Sequence, residues 1–239
     1  MAAERGIARE VGPVLGVGVG VGVAAGPSDS PSVELRSVTK TYGPVRALVG
    51  VSARFQAGQP TLVTGPNGSG KSTLLALVGA LAKPTSGEVD HGALGRSRDE
   101  VRRTLGWVGH DSLCYADLTG RENIELAARL HGLDPRAAMA FAAERFELAG
   151  FAERPVRTYS RGQRQRIALA RALVHQPKLL LLDEPSAGLD TASVARLVAV
   201  IADEVARGAV VVVVTHDPAL SEAVGGTRFA LERGRAAVT

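Results

Sequence analysis

The sequence predicts an α/β fold with a mainly parallel sheet core, an antiparallel β-subdomain and a helical lobe. Three observations carry this. Leu179-Leu180-Leu181-Leu182 and residues 210–214 are short, wholly apolar runs, as expected of strands covered on both faces. Helical patterns at 166–174 and 192–205 lie between and after them, and strands that alternate with helices build parallel sheets. A glycine-rich loop, Gly65-Pro66-Asn67-Gly68-Ser69-Gly70-Lys71-Ser72, joins the extended run Thr61-Leu62-Val63 to apolar residues at helical spacing, Leu74, Leu77, Val78 and Leu81.

In chain order, residues 1–32 stand apart. Glycine and valine alternate from 16 to 23, and Gly26-Pro27-Ser28-Asp29-Ser30-Pro31 has the composition of a linker. A disordered tail is expected there, followed by one domain over 33–239. Glycines interrupt the tail's apolar stretch, which disfavours an export signal. Residues 33–36 and 51–55 alternate like half-buried strands about a Gly43-Pro44 turn. The helix after the loop closes before Pro84, and residues 101–108 end in another apolar segment. From Asp117 to about Leu148 the pattern is helical and alanine-rich, broken at Gly132-Leu133-Asp134-Pro135, so the lobe is placed at about 112–168.

Composition excludes several classes. The longest apolar run, 209–214, is too short to cross a bilayer. The single cysteine, Cys114, cannot make an internal disulfide, which suits a reducing compartment. A net charge of +4 is mild, and no basic stripe interleaved with aromatics argues for nucleic acid.

The loop fits the pattern Gly, four residues, Gly-Lys-Ser, whose backbone N–H groups point inward at a nucleotide's phosphates. The helix start behind it adds partial positive charge. Lys71 then reaches the outer phosphates and the Ser72 hydroxyl ligates magnesium, with Thr73 continuing the site. A nucleoside triphosphate and Mg2+ are therefore expected, on a P-loop NTPase core. Asp183 and Glu184 end a buried strand, where one acid can hold magnesium and its neighbour can polarise water. Ser160-Arg161-Gly162-Gln163 opens a helix beginning near Arg164, with either anion binding or a plain N-cap as its role. His216 follows the valine run, and Tyr42 precedes the second strand, where its ring can stack on a base or simply pack. No Asn-Lys-x-Asp motif of a GTPase is present.

In this order and spacing the motifs resemble the ATP-binding-cassette (ABC) family of ATPases, over roughly residues 33–235. Residues 65–72 resemble its Walker A loop and 179–184 its Walker B strand. Ser160-Arg161-Gly162-Gln163 falls at the signature, Ser186-Ala187-Gly188-Leu189-Asp190 at the D-loop, His216 at the switch histidine and Tyr42 at the adenine-stacking aromatic. The resemblance implies a head-to-tail dimer with a second cassette, most simply another copy of this chain. Each ATP would lie between one phosphate loop and the partner's signature helix. It also implies membrane permease partners and a peripheral place on the cytoplasmic face of the inner membrane. In that scheme Lys71, Glu184 and His216 act in catalysis, and Ser72 and Asp183 position Mg2+. His110 stands where most members carry a glutamine that contacts magnesium; the sequence leaves open whether it takes that role.

Gly109-His110, Leu118-Thr119-Gly120-Arg121-Glu122-Asn123 and the Ser-Arg-Gly signature are similar to one branch of the family, the ATPase of the heme exporter in cytochrome c maturation. Drug and lipid exporters share much of that segment. A soluble cassette of repair or translation is a further alternative, as is a regulatory module without turnover. His91, His131 and His175 are too irregularly spaced to suggest a metal site.

Overall fold

The computed structural model describes residues 30–109 and 112–237, so most of the expected tail lies outside it, as do His110 and Asp111. β1 (Ser32–Tyr42) and β2 (Val45–Gln56) form an antiparallel hairpin, with Tyr42 opposite Val45 across the Gly43-Pro44 turn. β4 (Ser86–Asp90) pairs antiparallel with the other side of β1. Both hairpin strands run longer than expected. Register shifts between Leu35 and Val38, and between Val38 and Lys40, break the two-residue alternation that would have marked them.

The main sheet joins β3 (Thr61–Thr64), β5 (Leu105–Val108), β6 (Leu179–Asp183), β7 (Val210–Val214), β8 (Thr227–Glu232) and β9 (Arg235–Ala236) in the order β5-β6-β7-β3-β8-β9. All pairings are parallel except β8 with β9. The apolar runs separate two cores. Leu180, Leu182, Val211 and Val213 face one side, against the helical lobe, α5 (Arg161–Leu173) and α6 (Thr191–Ala206). Leu179, Leu181, Val210, Val212 and Val214 face the other, against α1 (Lys71–Val78) and the antiparallel sheet. None of these nine side chains exceeds 1% exposure. Burial of that completeness stabilises by about 1.5–3 kcal/mol per side chain, which is why the strands need no polar face.

α3 (Gly120–Leu130) and α4 (Pro135–Phe146) form the lobe with α5, packing through Ile124, Ala128, Met139, Ala142 and Phe146. Thr119 and Glu122 make a capping box at the start of α3, while Asp134 caps α4 and Pro135 sits at its first turn. The fully buried Glu204 of α6 is held by Arg145 of α4 at 2.9 Å and by Arg207, tying lobe to core with a paired rather than a bare charge. α5 begins at Arg161, not near Arg164. The Ser160 hydroxyl accepts from the Gln163 N–H at 3.2 Å while the Gln163 side chain accepts from the Ser160 N–H at 3.1 Å, and that reciprocal cap sets the helix start. α2 (Arg98–Arg103) and α7 (Pro218–Val224) complete the helices longer than one turn among the described residues.

Candidate functional site

β3, β6 and β7 are adjacent and parallel, so their C-terminal ends deliver three segments to one edge of the sheet. Open α/β sheets place their ligand sites there. The glycine-rich loop follows β3, Asp183 and Glu184 end β6, and Thr215-His216 follows β7.

Two glycines of the loop are obligatory for reasons of space. A Cβ on Gly65 (φ +143°) would lie 2.1 Å from the Leu231 carbonyl oxygen, and one on Gly70 (φ +104°) would lie 2.5 Å from that of Ala47. Both contacts are with backbone, which cannot swing aside. Gly70 also leaves α1 without a side-chain cap, so the first N–H groups of α1 remain available to an anion. Lys71, only 9% exposed, donates from Nζ to the carbonyls of Gly65 (2.8 Å) and Pro66 (3.0 Å), curling the loop over its own ammonium. Ser69 is buried, and its hydroxyl has no hydrogen-bond partner among the described residues.

The acidic end is organised by short contacts. The Ser72 hydroxyl donates to Asp183 Oδ2 at 2.9 Å. Glu184 sits in the left-handed region (φ 52°), a conformation that costs a non-glycine residue about 1–2 kcal/mol. Its N–H donates to the Val214 carbonyl, its Oε2 accepts from the His216 N–H at 3.3 Å, and its Oε1 lies 3.6 Å from His216 Nε2. Strain of this kind persists where surrounding structure enforces it, as at catalytic positions.

Together these residues line a cleft of about 530 Å³ that includes Asn67, Gly68, Lys71, Ser72 and Thr73 on one wall and Asp183, Glu184 and His216 on another. A third wall, Val45, Arg46 and Ala47 of β2, was not expected from the sequence. The signal was available only as position, because these residues directly follow the turn after Tyr42. Tyr42 itself is half-exposed at the end of β1 and does not line the cleft; the Lys40 ammonium lies 4.8 Å from its ring centroid. His110 lies outside the described residues.

Ser160, Arg161, Gly162 and Gln163 are not brought to the phosphate loop of their own chain. They open α5 beside a separate cavity of about 450 Å³, which Arg161, Arg164 and Gln165 share with Ala187 and Glu184. The aliphatic stem of Arg161 lies across Gly188, where a Cβ would come within 2.4 Å of its Cδ. The N-cap and anion-site readings of this motif are compatible: the capping box consumes the Ser160 hydroxyl's acceptor role while its proton stays free to donate.

Two of the histidines, by contrast, do come together. His131 and His175 stack with centroids 3.7 Å apart and planes 7° from parallel, while His91 is bonded separately to the Val78 carbonyl. Among the described residues no group of three or more His, Cys, Asp or Glu is arranged to hold a metal ion.

The model of the ABC transporter family matches residues 48–187, a span that runs from β2 through the glycine-rich loop and α5 to just beyond β6. The chain belongs to the ABC transporter family. It is an ABC-type ATPase, and cassettes of this family bind ATP or ADP. This ABC cassette is 39% identical over 199 residues to the cytochrome c biogenesis ATP-binding export protein CcmA of Gluconobacter oxydans, covering 80% of this chain and 88% of that one. It is 40% identical over 189 residues to CcmA of Salmonella typhi, covering 78% and 90%. A daunorubicin resistance ATP-binding protein, DrrA3 of Streptomyces coeruleorubidus, is 39% identical over 165 residues, 66% of this chain and 52% of that one. Among solved structures, the dimeric bacterial ABC transporter cassette MJ0796 superposes with a TM-score of 0.77 at 30% identity, covering 86% of this chain and 97% of that one. Its post-hydrolysis dimer bound to ADP and Pi gives the same TM-score at 32% identity, with the same coverage. No helix among the described residues of the cassette is long and apolar enough to cross a membrane.

Proposed function

We propose that this cassette is the ATP-hydrolysing subunit of a membrane exporter serving cytochrome c maturation, with heme as the cargo handled by its membrane partners. The observation that carries the cargo is the 39–40% identity to CcmA proteins over about four-fifths of the chain. The hydrolytic half rests on the cleft. The α1 N-terminus and Lys71 hold the phosphates there. Ser72 and Asp183 offer a hydroxyl and a carboxylate, the hard oxygen donors that suit Mg2+, which would offset phosphate charge when bound. Glu184 takes the proton of the attacking water, and His216, whose ring lies beside Glu184 Oε1, holds the terminal phosphate and water in line. Ser160 and Gly162 reach the ATP of a second cassette, since they stand apart from the phosphate loop of their own chain. Two copies of the chain, docked to permease subunits on the cytoplasmic face of the inner membrane, make the working unit. Domain bounds of 33–239, with the lobe near 112–168, belong to the same proposal.

Purifying the tagged chain from its own membranes in mild detergent, with partners identified by mass spectrometry, tests this. Heme-handling permease subunits are the expected partners. A drug permease instead would favour the second reading, which rests on the likeness to DrrA3. Absence of any membrane partner would overturn the exporter assignment.

A further inference from the structure

We propose that Arg46 is a second phosphate-binding cation of the nucleotide cleft, acting on the α-phosphate; this rests on the nucleotide reading of the cleft above. Arg46 lines the same cleft as Lys71, Ser72 and Asp183, on the wall contributed by β2. Its guanidinium enters no ion pair among the described residues. An arginine facing a cleft without a carboxylate partner is a standing donor of up to five N–H groups, shaped to grip phosphate oxygens in pairs.

Before any Mg2+ binds, charge in the cleft favours a second cation. Asp183 and Glu184 bring two negative charges to its lining, and Lys71 brings one positive. Lys71 also directs Nζ to the carbonyls of Gly65 and Pro66. Without Arg46 the walls of the metal-free cleft would carry a net negative charge, which disfavours a polyanion. With it they are neutral, and the N–H groups of α1 tip the field toward anion binding.

Position selects the phosphate. Glu184 and His216 occupy the end of the cleft where water attacks the terminal phosphate. Arg46 enters from β2, whose Ala47 carbonyl abuts Gly70 directly at the start of α1. The hairpin partner of the adjoining Val45 is Tyr42, which stands beside this wall though outside the cleft lining. A cation between the base end and the helix start meets the phosphate nearest the ribose.

Arg46 is exposed, so substitutions there are compatible with folding, which thermal melting of each variant verifies. Binding of ATP, ADP, AMP and GTP is measured by titration calorimetry with the wild-type chain and with Arg46→Met, Arg46→Lys and Arg46→Glu, together with steady-state ATPase kinetics. Loss of one charge-assisted pair weakens binding about tenfold. Arg46→Met is expected to weaken ATP, ADP, AMP and GTP by the same factor, raising KM with little change in kcat. Arg46→Lys recovers part of the loss and Arg46→Glu deepens it. Equal affinities in wild type and Arg46→Met overturn the proposal. A loss for ATP but not ADP moves the contact to the γ-phosphate, a loss for ATP and ADP but not AMP moves it to the β-phosphate, and a loss for ATP but not GTP moves it to the base; each overturns the α-phosphate assignment. Failure of the wild-type chain to bind any nucleotide overturns the cleft's nucleotide reading itself, a result separate from all of these.

Discussion

Ser72 and Asp183, 111 residues apart in the chain, are joined by one hydrogen bond of 2.9 Å from hydroxyl to carboxylate. The bond fixes the carboxylate at the mouth of the phosphate loop before any cation arrives. Asp183→Asn keeps the shape but loses the charge. Turnover is expected to fall by about 10–100-fold, with the Mg2+ requirement displaced to higher concentration. Phosphate release measured across a Mg2+ titration checks both; an unchanged Mg2+ dependence would remove Asp183 from the metal site.

Glu184→Gln retains size and the contact with the His216 N–H but cannot accept a proton. Nucleotide affinity is expected to stay within about twofold while turnover falls by about a hundredfold or more, the usual contribution of a general base. Calorimetry and phosphate release on the same preparation separate the two. Wild-type turnover in this variant would place the base elsewhere.

Gly70 and Gly188 both have positive φ, yet they should respond differently to a methyl group. At Gly70 the added Cβ meets the Ala47 carbonyl at 2.5 Å, whereas at Gly188 it meets the movable Cδ of Arg161 at 2.4 Å. Gly188→Ala is expected to cost about 1–2 kcal/mol, chiefly from the left-handed backbone. Gly70→Ala should lose more, since β2 or the loop must shift as well. Urea unfolding of both variants gives the comparison, and equal losses would show that the Ala47 contact yields easily.

Burial, the neighbouring His131 and the charges of Arg171 and Arg207 push His175 down from 6.5 to about 4. Burial also lowers His131. A base with a depressed folded pKa takes up its proton in the unfolded chain first. Stability from this pair is therefore constant above about pH 6.5 and falls as pH drops from there towards 4, by up to about 3 kcal/mol for His175. Urea midpoints from pH 7.5 to 4.5 should fall more steeply in the wild type than in His175→Leu. Parallel curves would contradict it.

The parts of this molecule legible in the sequence are those whose chemistry is local. Residues 65–72 announce a loop because glycine spacing and the adjoining strand and helix are all contiguous. Residues 179–182 announce a buried strand because four leucines leave no polar face. β4 was not legible, since Ser86-Gly87-Glu88-Val89-Asp90 is almost wholly exposed and offers no alternation. The His131–His175 stack joins α3's C-terminal cap to the loop after α5, a contact that no spacing rule within one helix can supply. Arg46 was missed for the same reason: its meaning lies in what Gly70 and Asp183 bring opposite it, not in its neighbours along the chain. The start of α5, by contrast, was legible and misjudged, because Ser160 and Gln163 spell a capping box.

The phosphate loop leans on the turn between β8 and β9. The Gly234 N–H donates to the Ser69 carbonyl at 3.0 Å, the Val49 N–H donates to the Gly234 carbonyl at 2.8 Å, and the Leu231 carbonyl closes over Gly65. The ribosome makes these props only after the other described elements. A nascent chain that has already delivered loop, acids and histidine still lacks the strut that fixes the loop's curve. The curve of the loop is thus fixed by strands that lie more than 150 residues further along the chain.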